Sequence, residues 1–224
     1  MLKSINEIIA IIDSGIGGAS ILKQLINKHH CGNFIYFADN LYMPYGNKNK
    51  TWLKNRVNKI INELRQKYSV KQVIIACNTA SASINNKTNN DIIKMEFLPN
   101  KTYYATRLTK RNLPHLHVIA DNTLAKLIEK NINNKNKLEN IVKRHIKTHG
   151  LYNHNEVVLG CTHYELIMPM FEKLCKQTKV INNSSFMIDK IKVQESEHAN
   201  VVIFLSKKDI ELENKILSIL KEEN

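Results

Sequence analysis

Short apolar runs alternate along this chain with amphipathic stretches. The runs at 8–12, 33–38, 73–76, 92–98, 115–120, 157–160 and 201–205 are bounded by polar or turn-forming residues, a pattern that favours buried parallel strands. Apolar residues recur with helical spacing at 21–26, 51–68, 124–130, 138–147, 167–175 and 209–221. Because strands and helices take turns, the sequence predicts parallel sheets covered by helices, an α/β fold.

Two of the predicted strands lead into similar segments. Residues 73–82 read VIIACNTASA and residues 157–166 read VVLGCTHYEL; each has a small residue, a cysteine and two hydrogen-bonding side chains after the apolar run. Open parallel sheets bind ligands at the carboxyl ends of their strands, and the start of a helix lowers the pKa of a thiol there. We therefore expect Cys77 and Cys161 to be reactive thiols that face one substrate.

A glycine-rich segment, DSGIGG at 13–18, follows the first strand. It lacks the G-x-G-x-x-G spacing of dinucleotide sites, and no P-loop lysine follows it. The carboxylate of Asp13 would also repel a phosphate. An acid at this position suits the orientation of a thiol or the binding of an ammonium group.

Length and composition are consistent with one large or two small globular domains. The chain has 224 residues, of which 43% are hydrophobic, which is enough to form a core. No apolar stretch approaches the roughly 18 to 20 residues of a membrane span, and the first residues lack the order of a signal peptide. We expect a cytoplasmic protein without a membrane segment.

The cysteine spacing and the distribution of charge limit the ligands expected for this chain. The four cysteines form no C-x-x-C pair, so no zinc ribbon is expected, and Cys31 and Cys175 are interpreted as packing or surface residues. The net charge of +13 is concentrated in 101–150, where eleven Lys or Arg face three acids. No aromatic-interleaved or arginine-rich motif accompanies this charge, which favours a solvated face over a nucleic-acid site.

Four segments in order carry a family resemblance: DSGIGG at 13–18, PYG at 44–46, ACNTAS at 76–81 and GCTHY at 160–164. Together they resemble the signature segments of glutamate racemases, the cofactor-independent members of the aspartate/glutamate racemase superfamily. The resemblance implies two similar parallel-sheet α/β domains related by a pseudo-twofold axis, with the active site between them. On this chain we expect the first domain at 1–95, with 206–224 returning to it, and a shortened second domain at 96–205.

The resemblance also implies a mechanism. One thiolate removes the α-proton of the amino acid and the opposite thiol protonates the other face, without cofactor or metal. Cys77 would act on the D-isomer and Cys161 on the L-isomer, assisted by Asp13 and His163. The residues implied to bind the substrate are Ser14, Pro44, Tyr45, Gly46, Asn78, Thr79, Thr123 and Thr162.

Three functions remain open at this stage. The first is a glutamate racemase that supplies D-glutamate for peptidoglycan; the second is a degenerate racemase fold kept for binding, for example to DNA gyrase; the third is a racemase for aspartate or another acidic amino acid. A homodimer is compatible with the family. Cys77 and Cys161 lie only 84 positions apart, and no clear counterpart of the family's next strand stands in 85–99. We therefore expect a trimmed second domain.

Overall fold

Two separate parallel β-sheets, each covered by helices, form the structure. The computed structural model describes residues 7–84, 91–193 and 198–221; the N-terminal segment interpreted above and most of the polar loop predicted at 84–91 lie outside these ranges. No helix in the described ranges is long and apolar enough to cross a membrane.

The first sheet has the strand order β4-β3-β1-β2-β9, and all its neighbours run parallel. Its strands are β1 (Ile8–Asp13), β2 (Gly32–Ala38), β3 (Val70–Ile75), β4 (Ile92–Lys94) and β9 (Ala199–Leu205). The associated helices are α1 (Ala19–His29), α2 (Lys50–Tyr68), α3 (Asn78–Ser83) and α10 (Ile210–Lys221).

The second sheet has the order β6-β5-β7-β8 and is also parallel throughout. Its strands are β5 (Thr102–Ala105), β6 (His117–Ala120), β7 (Glu156–Gly160) and β8 (Lys179–Asn182). The helices of this half are α4 (Arg107–Asn112), α5 (Leu124–Asn131), α6 (Lys135–His149), α7 (Thr162–Glu165) and α8 (Met168–Leu174). The short helix α9 (Ser185–Ile188) follows β8, but its Met187 and Ile188 pack in the core of the first half. The prediction of two parallel-sheet α/β units is confirmed.

One strand order occurs twice along the chain. In the first sheet the order β4-β3-β1-β2 matches β8-β7-β5-β6 in the second, so each half repeats the same path of four consecutive strands. Cys77 and Cys161 each follow the third strand of their repeat, which explains why their sequence segments resemble each other. The repeat places both thiols at the carboxyl end of a strand that is flanked by strands on both sides.

Three features differ from the sequence predictions. The strands β5 and β8 were not predicted, because each is only four residues long and stands among polar residues. β9 was assigned to the second half by the boundary at 205, and this is wrong: it pairs with β2 along its whole length, from Gly32–Ala199 to Ala38–Leu205. The stretch at 92–98 holds a strand, β4, but of three residues only.

The last helix completes the core of the first half. The buried face of α10 presents Leu212, Ile216 and Ile219 to a cluster that includes Ile21 and Leu25 of α1. Its amphipathic spacing puts these three residues on one side of the helix, while Leu217 points outward. Residues 206–221 therefore add their apolar surface to the sheet that contains β1.

We expect Ile216→Ala to lower the free energy of unfolding by about 2–5 kcal/mol, because it leaves a cavity in this cluster. Leu217→Ala, which removes the same kind of side chain from a position that is 37% exposed, should cost less than about 1 kcal/mol. Urea denaturation followed by circular dichroism measures both. Equal losses in the two variants would contradict the packing of α10 described here.

Candidate active site

Both cysteines lie at the first residue before a helix and are nearly buried. Cys77 caps α3 and Cys161 caps α7, with 6% and 8% of their surface exposed. The amides of Ala80 and Thr79, in the first turn of α3, favour the thiolate form of Cys77. The strand-to-helix setting predicted for the two thiols is therefore confirmed.

Asp13, at the end of β1, joins the two halves of the molecule. Its carboxylate is fully buried; it accepts a hydrogen bond from the Gly15 amide at 2.9 Å and one from the Thr162 hydroxyl at 3.1 Å. Burial raises the pKa of Asp13, and the charge of His163 together with these hydrogen bonds offsets only part of the rise. Asp13 is thus a first-half acid fixed directly against the segment that follows Cys161.

Burial raises the pKa of the Cys77 thiol well above its ordinary value, and the negative charge of Asp13 raises it further. The amides of Ala80 and Thr79 act in the opposite direction but are outweighed. The expectation that the helix start lowers this pKa is therefore wrong for Cys77. The reason is that the second half covers the thiol and removes the water that would solvate a thiolate.

His163 has the opposite surroundings. Its Nε2 lies 2.8 Å from Oε2 of Glu129, and Cys161 precedes it by two residues at the start of α7. Burial by itself lowers the pKa of His163, but the bonds to Cys161 and Glu129 and their negative charges raise it well above 6.5. The surroundings of His163 therefore favour the positively charged imidazolium, two residues from Cys161.

Glu129 is a site residue that the sequence analysis missed. It lies on α5, four residues after the buried Ala125 and hence on the same helix face. Its Oε2 also accepts a hydrogen bond from the Ile16 amide of the glycine-rich turn at 3.3 Å. Nothing in the local sequence separates Glu129 from the other charged residues of an amphipathic helix.

Among the residues predicted to bind substrate, Asn78 has the most distinctive surroundings. Its side-chain oxygen and nitrogen are both buried and have no hydrogen-bond partner among the described residues. Buried polar groups are rarely left unpaired, because each costs about 1–3 kcal/mol. The Asn78 amide is thus available to a bound ligand, next to Cys77.

Other predicted residues line the boundary between the halves. Thr79 Oγ1 lies 3.0 Å from Oγ1 of Thr106, and Ser14 is buried beside Asp13. Thr106 follows β5, as Asp13 ends β1 in the other repeat. It was missed because β5 itself was not predicted.

The turn at 44–46 approaches the second half closely. A Cβ atom added to Gly46 would lie 3.0 Å from Cβ of Thr106, so glycine permits this contact. Pro44 is the first residue of the turn, and the Tyr45 hydroxyl donates a hydrogen bond to Asp39 at 2.6 Å. The side chain of Tyr45 is therefore engaged within the first half, while Gly46 faces the boundary.

Thr123 is not part of this group. Its side chain is exposed, and its hydroxyl lies 3.2 Å from both carboxylate oxygens of Asp121. The structure brings together Asp13, Ser14, Asn78, Thr79, Thr162 and His163 with the two cysteines, and it adds Thr106 and Glu129. Thr123 belongs instead to a separate cluster around Asp121.

The structure resembles solved glutamate racemases. It superposes with a TM-score of 0.79 on the enzyme from Thermus thermophilus in complex with β-chloro-D-alanine, at 19% identity, covering 98% of this chain and 95% of that one. With the Francisella tularensis enzyme in complex with D-glutamate, the TM-score is 0.73 at 22% identity, covering 97% and 95% of the two chains. These likenesses establish the fold.

Sequence comparison is more specific. No protein-family model matches the chain. The glutamate racemase of Borreliella burgdorferi, however, is 31% identical over 199 residues, which cover 78% of this chain and 75% of the relative. Such identity over most of both chains shows common descent, and the chain belongs to the glutamate racemase family.

Proposed function

We propose that this protein interconverts L- and D-glutamate by cofactor-independent proton transfer between two cysteines, and that its D-glutamate serves peptidoglycan synthesis. One observation carries the proposal. Two thiols stand at equivalent positions of a repeated fold, and each has a different ionisable neighbour: Asp13 for Cys77 and His163 for Cys161. The relatives named glutamate racemase, and the solved relative that holds D-glutamate, support this choice of substrate.

Inversion at an α-carbon requires a base on one face and an acid on the other. Cys77 is held as a thiol by burial and by the charge of Asp13. Beside Cys161 lies His163, whose raised pKa favours the imidazolium, the form whose positive charge attracts an anion. With the protons distributed in this way, Cys161 takes the α-proton of L-glutamate and Cys77 supplies a proton to the opposite face.

The reverse reaction begins with the protons exchanged. Cys77 must then be the thiolate, with its negative charge stabilised by the amides of Ala80 and Thr79. A proton on Asp13 would remove the repulsion that opposes this state, and the raised pKa of Asp13 favours that proton. We assign Asp13 and His163 as the groups that tune the two thiols from opposite sides.

The substrate has to enter between the two halves, whose side chains are hydrogen-bonded to each other around the thiols in this structure. The bonds from Thr79 to Thr106 and from Thr162 to Asp13 join the two halves around the thiols. We infer that these hydroxyls, with Asn78 and Ser14, turn to the carboxylates and ammonium group of glutamate once the halves separate. Their renewed closure would exclude water from the reacting carbon.

Cys77→Ser and Cys161→Ser should each lower kcat/KM for glutamate by about 10²- to 10⁴-fold, because each removes one acid/base group. The loss should be equal in both directions, since the equilibrium constant is unchanged. Cys175→Ala is the control: this cysteine lies in the apolar core of the second half, and the variant should retain activity. The assay follows α-proton exchange and inversion in heavy water by NMR, with no cofactor added.

Aspartate serves as the comparison substrate in the same assay. If the protein exchanges the α-proton of aspartate but not that of glutamate, aspartate is the substrate and the two-thiol mechanism still stands. No exchange of either amino acid by folded, reduced protein would overturn the proposed function.

Glu129→Gln should lower the pKa of His163, because it removes the anion bonded to Nε2. The stabilisation from this pair is fully present below about pH 6.5, the ordinary value for histidine, and is lost as pH rises through the higher folded-state pKa. NMR titration of the imidazole measures the change. Glu139→Gln, which breaks a surface pair with Lys173, is the control and should leave His163 unaltered. An unchanged titration in Glu129→Gln would contradict the assignment.

Asn78→Ala should lower kcat/KM for glutamate by about 10- to 100-fold, the effect of losing a hydrogen bond to a charged group. The exposed Asn55→Ala on α2 is the matched control and should leave the kinetics unchanged. Steady-state kinetics of both variants test whether the unpaired amide binds substrate. Normal kinetics in Asn78→Ala would assign its side chain to packing alone.

A further inference from the structure

A second cluster of ionisable side chains lies outside the cysteine site, in the second half of the chain. Asp121 follows β6, and His145 and His149 stand one turn apart on α6. Oδ2 of Asp121 lies 3.2 Å from Nδ1 of His145 and 3.0 Å from Nε2 of His149. The three ligand atoms all lie within 4.8 Å of one another.

The first half has a carboxylate at the position equivalent to Asp121, and there it is paired with a cation. Asp39 follows β2 as Asp121 follows β6, and both stand in an Ala-Asp-Asn sequence. In the first half, Arg56 of α2 donates to both oxygens of Asp39, at 2.9 and 2.6 Å. The first half therefore supplies its own permanent cation. At the equivalent place the second half presents two imidazoles, whose unprotonated nitrogens are metal ligands.

The carboxylate of Asp121 is oriented by its other oxygen. Oδ1 accepts hydrogen bonds from the amides of Thr123 and Leu124, at 2.6 and 2.7 Å, at the start of α5. Outer contacts of this kind fix the direction in which a ligating group points. Oδ2 faces the two histidines and also accepts a hydrogen bond from the Thr123 hydroxyl at 3.2 Å.

The spacing suits a small tetrahedral ion. Zinc bonds to imidazole nitrogen and carboxylate oxygen measure about 2.0–2.2 Å, which places neighbouring ligands of a tetrahedron roughly 3.3 Å apart. The two N–O distances here are 3.0 and 3.2 Å. The side chain of His149 is 22% exposed, which leaves a route for an ion from solvent.

We propose that Asp121, His145 and His149 bind one divalent transition-metal ion of the zinc class. The protein supplies two nitrogens and one oxygen, a donor set that favours zinc over magnesium or calcium. A water ligand would complete the coordination, and the Tyr104 hydroxyl lies 3.2 Å from Nδ1 of His145. This departs from the sequence expectation that the chain has no metal site.

The ion would act as a brace and not as a participant in proton transfer. It ties α6 to the start of α5, and α5 carries Glu129, the partner of His163. Tyr104 also stacks on Tyr164, with ring centroids 4.9 Å apart, one residue after His163. Metal binding would therefore stabilise the helices that position the cationic side of the cysteine site.

The test uses the full chain in a Cys77→Ser/Cys161→Ser background, since the thiols could bind metal themselves. Zinc titration of the metal-stripped protein by calorimetry should show one site. His145→Gln and His149→Gln should weaken binding by at least about 100-fold, because even outer-shell changes cost up to that much. His154→Gln is the matched control, a histidine of the same half outside the cluster, and should bind zinc like the parent.

Two further readouts separate a metal site from a hydrogen-bonded cluster. Cobalt(II) should give the visible absorption of a four-coordinate nitrogen and oxygen site in the parent and lose it in His149→Gln. Zinc should raise the thermal unfolding midpoint of the parent and leave that of His149→Gln unchanged. Circular dichroism confirms that each variant is folded. Absence of saturable binding by the folded parent, or binding that survives both histidine variants, would overturn the proposal.

Discussion

The buried carboxylate of Asp13 is the constraint on which the site depends. An ionisable group without water is stable only with hydrogen-bond partners, and one of its partners, Thr162, comes from the other half of the molecule. The same contact sets Cys77 and Cys161 into electrostatic range of each other. The contact between the two halves therefore satisfies Asp13 and brings Cys161 close enough to Cys77 to raise the pKa of the Cys77 thiol.

The repeated strand order gives the molecule two equivalent sets of positions. The two halves place different residues around their cysteines at these positions. After the third strand stand two cysteines, one held protonated by burial beside Asp13 and one beside a cationic imidazole. Two identical thiols would have no preferred distribution of protons. Under the proposed mechanism, this difference sets which thiol holds the proton before L-glutamate binds, and the reverse reaction starts from the exchanged state.

The second half is small but structurally complete. All four strands of the repeat are present, although β5 and β8 have four residues each. The short separation of the cysteines reflects short elements and not a missing strand. The expectation that 85–99 lacks a counterpart of the family's next strand is wrong, because β4 follows α3 there and pairs with β3. Such a reduced sheet buries less apolar surface, which makes polar links such as those around Asp121 more important to its stability.

By itself, the sequence determined the alternation of strands and helices, the setting of both cysteines and the family, because these depend on local periodicity and on residue types in order. The partner of β9, the strands β5 and β8, and the roles of Glu129 and Thr106 were decided by the tertiary structure. So was the raised pKa of Cys77, which local reasoning from the helix start placed in the wrong direction. Strand partners, burial and charge coupling all depend on residues distant in the chain, and no local pattern records which of them will fold over a given side chain.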